Sequence, residues 1–161
     1  MNQTIHDIFE YREGKLFWKN VKCNRVKVER EAGHLNRNGY RYVMFNGKRY
    51  FAHRLIWLMQ YGYIPDGIDH INGNRSDNRI ENLRAASVSE NSMNAKKRSD
   101  NTSGIKGVSL DKRSGKWLAR CTVAGKKNHI GLFKNINDAA EAVRLFRENN
   151  HGEFANHGEK Q

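Results

Sequence analysis

Within the 161 residues of this chain, one stretch gathers side chains suited to phosphate-ester chemistry. Ile68-Asp69-His70-Ile71-Asn72-Gly73-Asn74 sets a carboxylate beside an imidazole, and Asn78, Asn82 and Asn91 follow as further oxygen donors. Hard divalent cations such as Mg²⁺ take carboxylate and amide oxygens and keep several waters, whereas Zn²⁺ calls for more Cys or His. Asp69 with an Asn carbonyl therefore suits Mg²⁺, and no structural zinc is expected. A neutral imidazole, with an ordinary pKa of about 6.5, can take a proton from water near neutral pH, which makes His70 the candidate base. Taken singly, Asp-His and Asn-Gly-Asn pieces are common in turns, because Asn and Asp hydrogen-bond their own backbone and tolerate the left-handed region. The spacing changes that judgement: Asn82 follows His70 by twelve positions, and Asn91 follows Asn82 by nine. Together these are the parts needed to hydrolyse a phosphodiester.

The elements that must carry these groups can be read from local pattern. Leu16 to Trp18 alternates weakly. Tyr40 to Phe45 and Lys48 to Phe51 read as two strands joined at Asn46-Gly47, a pair that tolerates positive φ and marks a hairpin. Ala52 to Tyr61 then turns helical in period, with Leu55, Ile56, Leu58 and Met59 as its apolar stripe and Gly62 as its end. The only proline, Pro65, forces a turn, and from Asp66 to Asn82 the chain is expected to be loop-like, with isolated Ile68, Ile71 and Ile80. Ser87-Val88-Ser89-Glu90 has the pattern of a capping box, starting a helix expected to run to about Lys97. Asn91, Asn94 and Arg98 would share one face of it, and Asn94 and Arg98 are candidate phosphate contacts.

Residues 98–104 are charged, then small and polar, and are expected to be a linker between a first module over 1–97 and a second over 105–161. In the second module Ile105 to Leu110, Lys116 to Val123 and Lys127 to Leu132 read as three short strands, with turns at Ser114-Gly115 and Ala124-Gly125. Trp117, Ala119, Cys121 and Val123 face one way, while Lys116, Leu118, Arg120 and Thr122 face the other. Asn135 caps a last helix whose Ile136, Ala139, Ala140, Val143 and Phe146 form an apolar stripe ending near Gly152. The fold class is therefore expected to be α+β.

Composition narrows the partner. With 29 Lys and Arg against 17 Asp and Glu, the formal net charge is +12 and the pI about 9.9. Such an excess implies a polyanion, and without a long basic amphipathic helix nucleic acid is favoured over a membrane surface. Hydrophobic residues make up 37% of the chain, lean for a core but too many for a disordered protein. No run approaches the ~18 apolar residues of a membrane helix, and Met1-Asn2-Gln3-Thr4 lacks a signal-peptide profile. An intracellular, cytoplasmic protein is therefore expected. Cys23 and Cys121 lie far apart and neither belongs to a CxxC pair, so two ordinary thiols are expected.

The pieces Ala52-His53-Arg54-Leu55-Ile56-Trp57, Ile68-Asp69-His70-Ile71-Asn72-Gly73-Asn74, Asp77-Asn78-Arg79, Glu81-Asn82-Leu83-Arg84 and Ser89-Glu90-Asn91 together resemble the HNH endonuclease family, in the phage and intron-encoded branch with the pattern Asp-His…Asn…Asn. The resemblance covers roughly Leu16 to Lys97. It implies a ββα-metal fold holding one divalent ion, Mg²⁺ or Mn²⁺. By the same resemblance Asp69 matches the metal-binding acid, His70 the general base, Asn82 the residue that steadies the loop, and Asn91 the helix residue that completes the metal site. His53 matches a position the family uses for packing and hydrogen bonding. His6, His34, His151 and His157 lie outside the constellation and read as surface or turn residues.

Gly104-Ile105-Lys106-Gly107-Val108, Gly115-Lys116-Trp117-Leu118-Ala119-Arg120, His129-Ile130-Gly131-Leu132-Phe133, Asp138-Ala139-Ala140-Glu141-Ala142 and Gly152-Glu153-Phe154-Ala155 look like the Apetala-type DNA-binding domain, over about Ser103 to Asn156. That resemblance implies a three-stranded sheet laid in the DNA major groove. The matching positions are Lys106, Ser109, Lys116, Arg120, Thr122, Lys127 and His129. Arg120 stands where plant members often carry an acid, and His129 where they often carry Trp, which leaves base preference open. The residues agree, since the face opposite the Trp117 stripe is basic, and Arg or Lys can grip phosphate and read guanine.

The whole chain is thus expected to be a metal-dependent endonuclease acting on double-stranded DNA, its first half cutting and its second half holding. One active site per chain favours a monomer that nicks, with a dimer as the exception. The rival readings are a non-catalytic DNA-binding regulator and a protein that binds structured RNA.

Overall fold

A computed structural model describes residues 4–20 and 27–158; Cys23 and the Met1 to Gln3 start lie outside them. The chain divides into two compact units, Met1–Ala85 and Ala86–Gln161. It is 28% helix and 31% strand, and every strand pair among the described residues is antiparallel, so the α+β expectation holds.

The first unit opens with a short helix, α1 (Ile5–Ile8), and a hairpin of β1 (Phe9–Arg12) and β2 (Lys15–Trp18). A three-stranded sheet follows, with β3 (His34–Leu35), β4 (Arg41–Phe45) and β5 (Lys48–Phe51) in that order. The turn between β4 and β5 is the expected Asn46-Gly47, with φ of 47° and 74°, a left-handed pair that matches the twist of the flanking strands. Helix α2 (Ala52–Tyr61) has the expected limits, and Gly62 closes it at φ 78° by donating its backbone N–H to Leu58 O. Leu55 and Ile56 of α2 join Phe9, Leu16, Val43, Ile68 and Leu83 in one core.

Between Asp66 and Asn82 the structure departs from the expected loop. β6 (Ile68–His70) pairs with β7 (Leu83–Ala85), setting Ile68 against Ala85, Asp69 against Arg84 and His70 against Leu83. Strands of three residues carry too little alternation to read, and what holds them is burial: Ile68 and Leu83 enter the core, 6% and 5% exposed.

In the second unit α3 (Val88–Met93) opens with the expected capping box, Glu90 N donating to Ser87 Oγ and Ser87 N to Glu90 Oε2. It stops at Met93 rather than running to Lys97, so Arg98 does not share its face. Beyond Met93 the carbonyls find side-chain donors instead: the Lys106 ammonium reaches Met93 O and Ala95 O, and Asn156 Nδ2 reaches Asn94 O. The 98–104 segment is also tied down, with Ser103 Oγ donating to Val108 O at 2.7 Å and Lys97 Nζ to Gly104 O at 2.7 Å. The division between the units, at Ala85/Ala86, lies ahead of that segment.

A sheet of β8 (Val108–Asp111), β9 (Lys116–Val123) and β10 (Lys126–Phe133) follows, β9 in the middle. Its first strand starts at Val108 rather than Ile105, because Gly104 and Gly107 turn the chain at φ 79° and 85°. Gly107 passes so close to β9 that a Cβ would sit 2.6 Å from Arg120 O. α4 (Ile136–His151), capped by Asn135, covers one face, with Ala139 and Val143 buried against Val108, Ala119 and Cys121. Among the described residues no helix is long and apolar enough to cross a membrane.

Candidate active site and nucleic-acid interface

The β6–β7 hairpin brings the Asp-His pair into a setting the sequence alone does not display. Asp69, 4% exposed, lies opposite Arg84, whose Nε and Nη2 both donate to Asp69 Oδ2, at 2.9 and 2.8 Å. A charge this buried is costly without a partner, and the cross-strand register supplies one.

His70 is buried, 4% exposed, and its Nε2 lies 2.9 Å from Oδ1 of the buried Asn78. A carboxamide oxygen only accepts, so Nε2 carries the hydrogen and donates, leaving the lone pair of the neutral ring on Nδ1. Burial pushes the His70 pKa below its ordinary value, partly opposed by the Asn78 bond and the Asp69 charge. The ring is also packed by aromatics: His53 meets it edge-on at 5.0 Å, and Tyr40 lies 6.2 Å away. His53 stacks on Phe51 at 5.4 Å, and burial, with the His70 and Arg54 charges, pushes its pKa down to about 3. His53 is thus a neutral packing group at ordinary pH. Arg75 lies over the Tyr40 ring at 5.0 Å, so a cation sits one aromatic ring from His70.

Asn82 ties the loop between β6 and β7. Its Oδ1 accepts from Asn72 N at 3.0 Å, its Nδ2 donates to Asp77 O at 2.7 Å, and its backbone carbonyl accepts from Ile71 N. Asp77 is held down at about 2, chiefly by the Arg79 fork, and also accepts from Asn72 Nδ2. The loop is thereby pinned on both sides of Asn74. Asn78 and Arg84 are the residues whose contacts sequence reading misses: Asn78 stands out only as one oxygen donor among several, and Arg84 only once register is known.

Asn91 lies on α3 and belongs to the second unit. In that unit the strand register collects most of the expected DNA contacts on one face. Arg120 stands opposite His129, Thr122 opposite Lys127, and Leu118 opposite both Ser109 and Leu132. Alternation then places Lys116 with them, paired with Asp111. Arg120, Thr122, Lys127, His129 and Lys116 are exposed, and Ser109 is half-buried. Arg98 is exposed and forked onto Asp100, while Asn94 is buried and bonded to Asn156.

Lys106 departs from its expected role. Its ammonium donates to the carbonyls of Met93, Ala95 and Asn156, using all three hydrogens, and burial followed by the Arg147 charge pushes its pKa down to about 8. It holds the fold rather than facing DNA, because three backbone acceptors converge on it. His151 is not a surface residue either: it is 7% exposed, with Nε2 donating to Thr122 O at 3.0 Å beside Cys121.

The donor chemistry fits a hard divalent ion. Among the described residues no group of three or more His, Cys, Asp or Glu is placed to hold a metal; Asp69 is the buried carboxylate of the hairpin, and Asp77 and Glu81 lie in the loop between its strands. A single carboxylate supplemented by amide oxygens and retained waters suits Mg²⁺ or Mn²⁺ rather than an all-protein cage.

The family model described as HNH endonuclease matches residues 50–93, a span that contains Asp69, His70, Asn82 and Asn91. Protein 3.8 of Escherichia phage T7 is 39% identical over 105 residues, covering 64% of this chain and 86% of that protein. A protein of Acanthamoeba polyphaga mimivirus named as an uncharacterized HNH endonuclease, L560, is 32% identical over 131 residues, covering 80% of this chain and 67% of that protein. No solved structure matches the chain.

Proposed function

The chain belongs to the HNH endonuclease family, and from that premise we propose that it hydrolyses phosphodiester bonds of double-stranded DNA with the help of one divalent metal ion, as a homing-type enzyme with a loosely specified site. The observation that carries this reading is the pairing of the buried His70 with Asn78. The bond orients the ring and favours the tautomer whose Nδ1 can accept a proton from the attacking water.

Asp69 is the carboxylate that would hold Mg²⁺ or Mn²⁺, and the motif supplies Asn91 as an amide donor. When bound, such an ion offers Lewis-acid stabilisation of charge on the phosphate and the leaving oxygen. Arg84 fixes the Asp69 carboxylate through Oδ2, and Asn82 holds the 71–77 loop that carries Asn72 and Asp77. Arg75, over Tyr40, is suited to meet a DNA phosphate beside His70.

The second unit is read as an Apetala-type DNA-holding module. Its basic outer face, with Lys116, Arg120, Lys127 and His129, supports that reading, as does the net charge of +12. With one such site per chain, a monomer would nick.

Supercoiled plasmid and phage DNA incubated with the native chain in Mg²⁺, in Mn²⁺ and in EDTA, beside His70→Ala, tests the proposal. Conversion to open-circle or linear DNA only by the native chain with metal supports it. Binding without cutting by both proteins would favour a DNA-binding regulator instead.

A further inference from the structure

The second unit contains a cleft of about 410 Å³, bounded on one side by the 95–102 segment and on the other by residues of β8, β9 and the turn before them. Five cations line it against one acid, Asp100. Three of the five are already engaged: Lys97 with Gly104 O, Lys106 with three carbonyls, and Arg98 with Asp100. Those bonds stiffen the walls. The side chains of Lys96, Thr102, Ser109 and Arg120, all lining the same cleft, have no hydrogen-bond or ion-pair partner among the described residues.

Two unpaired cations and two unpaired hydroxyls around a stiff basic cleft are suited to an anion with several acceptor oxygens. No aromatic side chain lines the cleft, so it offers nothing on which a nucleobase could stack; it is built for the phosphate. Arg120 belongs at once to this cleft and to the outer face of the sheet, where it pairs with His129. A DNA backbone lying on that face would thus be continuous with the cleft.

We propose that this cleft seats a phosphodiester of duplex DNA, with Lys96, Thr102, Ser109 and Arg120 as its contacts. The 95–102 segment is then part of the grip on DNA rather than a spacer. This inference rests on the reading of the second unit as the DNA-holding module.

The test is binding of the full chain to a fluorescent duplex in EDTA over a range of salt, for the native protein, Lys96→Ala, Thr102→Val and Lys127→Ala. Lys96 and Thr102 are exposed, so their replacement removes little packing, and thermal melts check that both variants fold. Lys96→Ala is expected to bind about fivefold more weakly at low salt, with the slope of log affinity against log salt reduced by about 1. Thr102→Val should weaken binding while leaving the slope unchanged, since it carries no charge. Native affinity and slope in Lys96→Ala would overturn the inference. If Lys127→Ala, on the sheet face outside the cleft, is then weakened, the DNA-holding reading stands without the cleft; if it too binds like the native chain, both fall. Inorganic phosphate added alone, followed through the Thr102 and Ser109 amide resonances, separates the sources: shifts with phosphate but native DNA affinity in Lys96→Ala mark a free-anion site and overturn the assignment to DNA.

Discussion

Asp69 and Arg84 face each other across the β6–β7 hairpin, and two guanidinium nitrogens of Arg84 donate to one carboxylate oxygen, Asp69 Oδ2. The carboxylate side chain is 5% exposed and the guanidinium side chain 14%. Neither charge is well solvated, so each depends on the other.

Removing Arg84 should therefore cost more than a surface ion pair would. Arg84→Met leaves a buried carboxylate without this partner and is expected to lower stability by about 3 kcal/mol, read as a shift in urea midpoint. Adding Asp69→Asn to Arg84→Met should recover part of the loss. If Arg84→Met melts like the native chain, the pair is not holding the hairpin.

The His70–Asn78 bond separates chemistry from binding. His70→Ala is expected to slow DNA cleavage by about 10²- to 10⁴-fold, the usual contribution of a positioned base. Asn78→Ala should slow it by about tenfold, because the ring loses the acceptor that sets its tautomer. Both variants should bind duplex DNA in EDTA as tightly as the native chain. Loss of binding in parallel with cleavage would count against these roles.

Acid should destabilise the first unit through its buried imidazoles. His53 is held at about 3, and His70 also lies below the ordinary value of 6.5. Between those limits the unfolded chain binds more protons than the folded one, so stability is fully present above pH 6.5 and is lost as pH falls towards 3. For His53 alone the loss at pH 5 is about 2 kcal/mol. Thermal melts from pH 7.5 to pH 4.5 should show it, and His53→Phe, which removes the titrating group, should flatten the curve without abolishing it.

Lys106 and Arg120 should behave oppositely despite their like charge. Lys106→Met leaves three backbone carbonyls without their shared donor and is expected to lower stability by about 2 kcal/mol, with little change in the salt slope of DNA binding. Arg120→Ala, exposed on the sheet, should leave the melting temperature in place and reduce that slope by about 1. Melts and salt titrations on the same preparations decide between these patterns.

By itself the sequence determined those features that depend on near neighbours along the chain. The Asn46-Gly47 turn, the limits of α2 at Ala52 and Gly62, the Ser87–Glu90 capping box and the apolar stripe of α4 all follow from backbone preference and period. The spacing of Asp69, His70, Asn82 and Asn91 was legible for the same reason, since a motif is a local string. Tertiary structure decided what lies opposite what. The pairing of Asp69 with Arg84 needs the register of two strands too short to announce themselves, and that register is set by burying Ile68 and Leu83. The end of α3 and the inward turn of Lys106 depend on carbonyls of Met93, Ala95 and Asn156 being brought together from separate parts of the chain. Whether a lysine grips DNA or its own backbone is a question of which acceptors surround it, and packing alone assembles those acceptors.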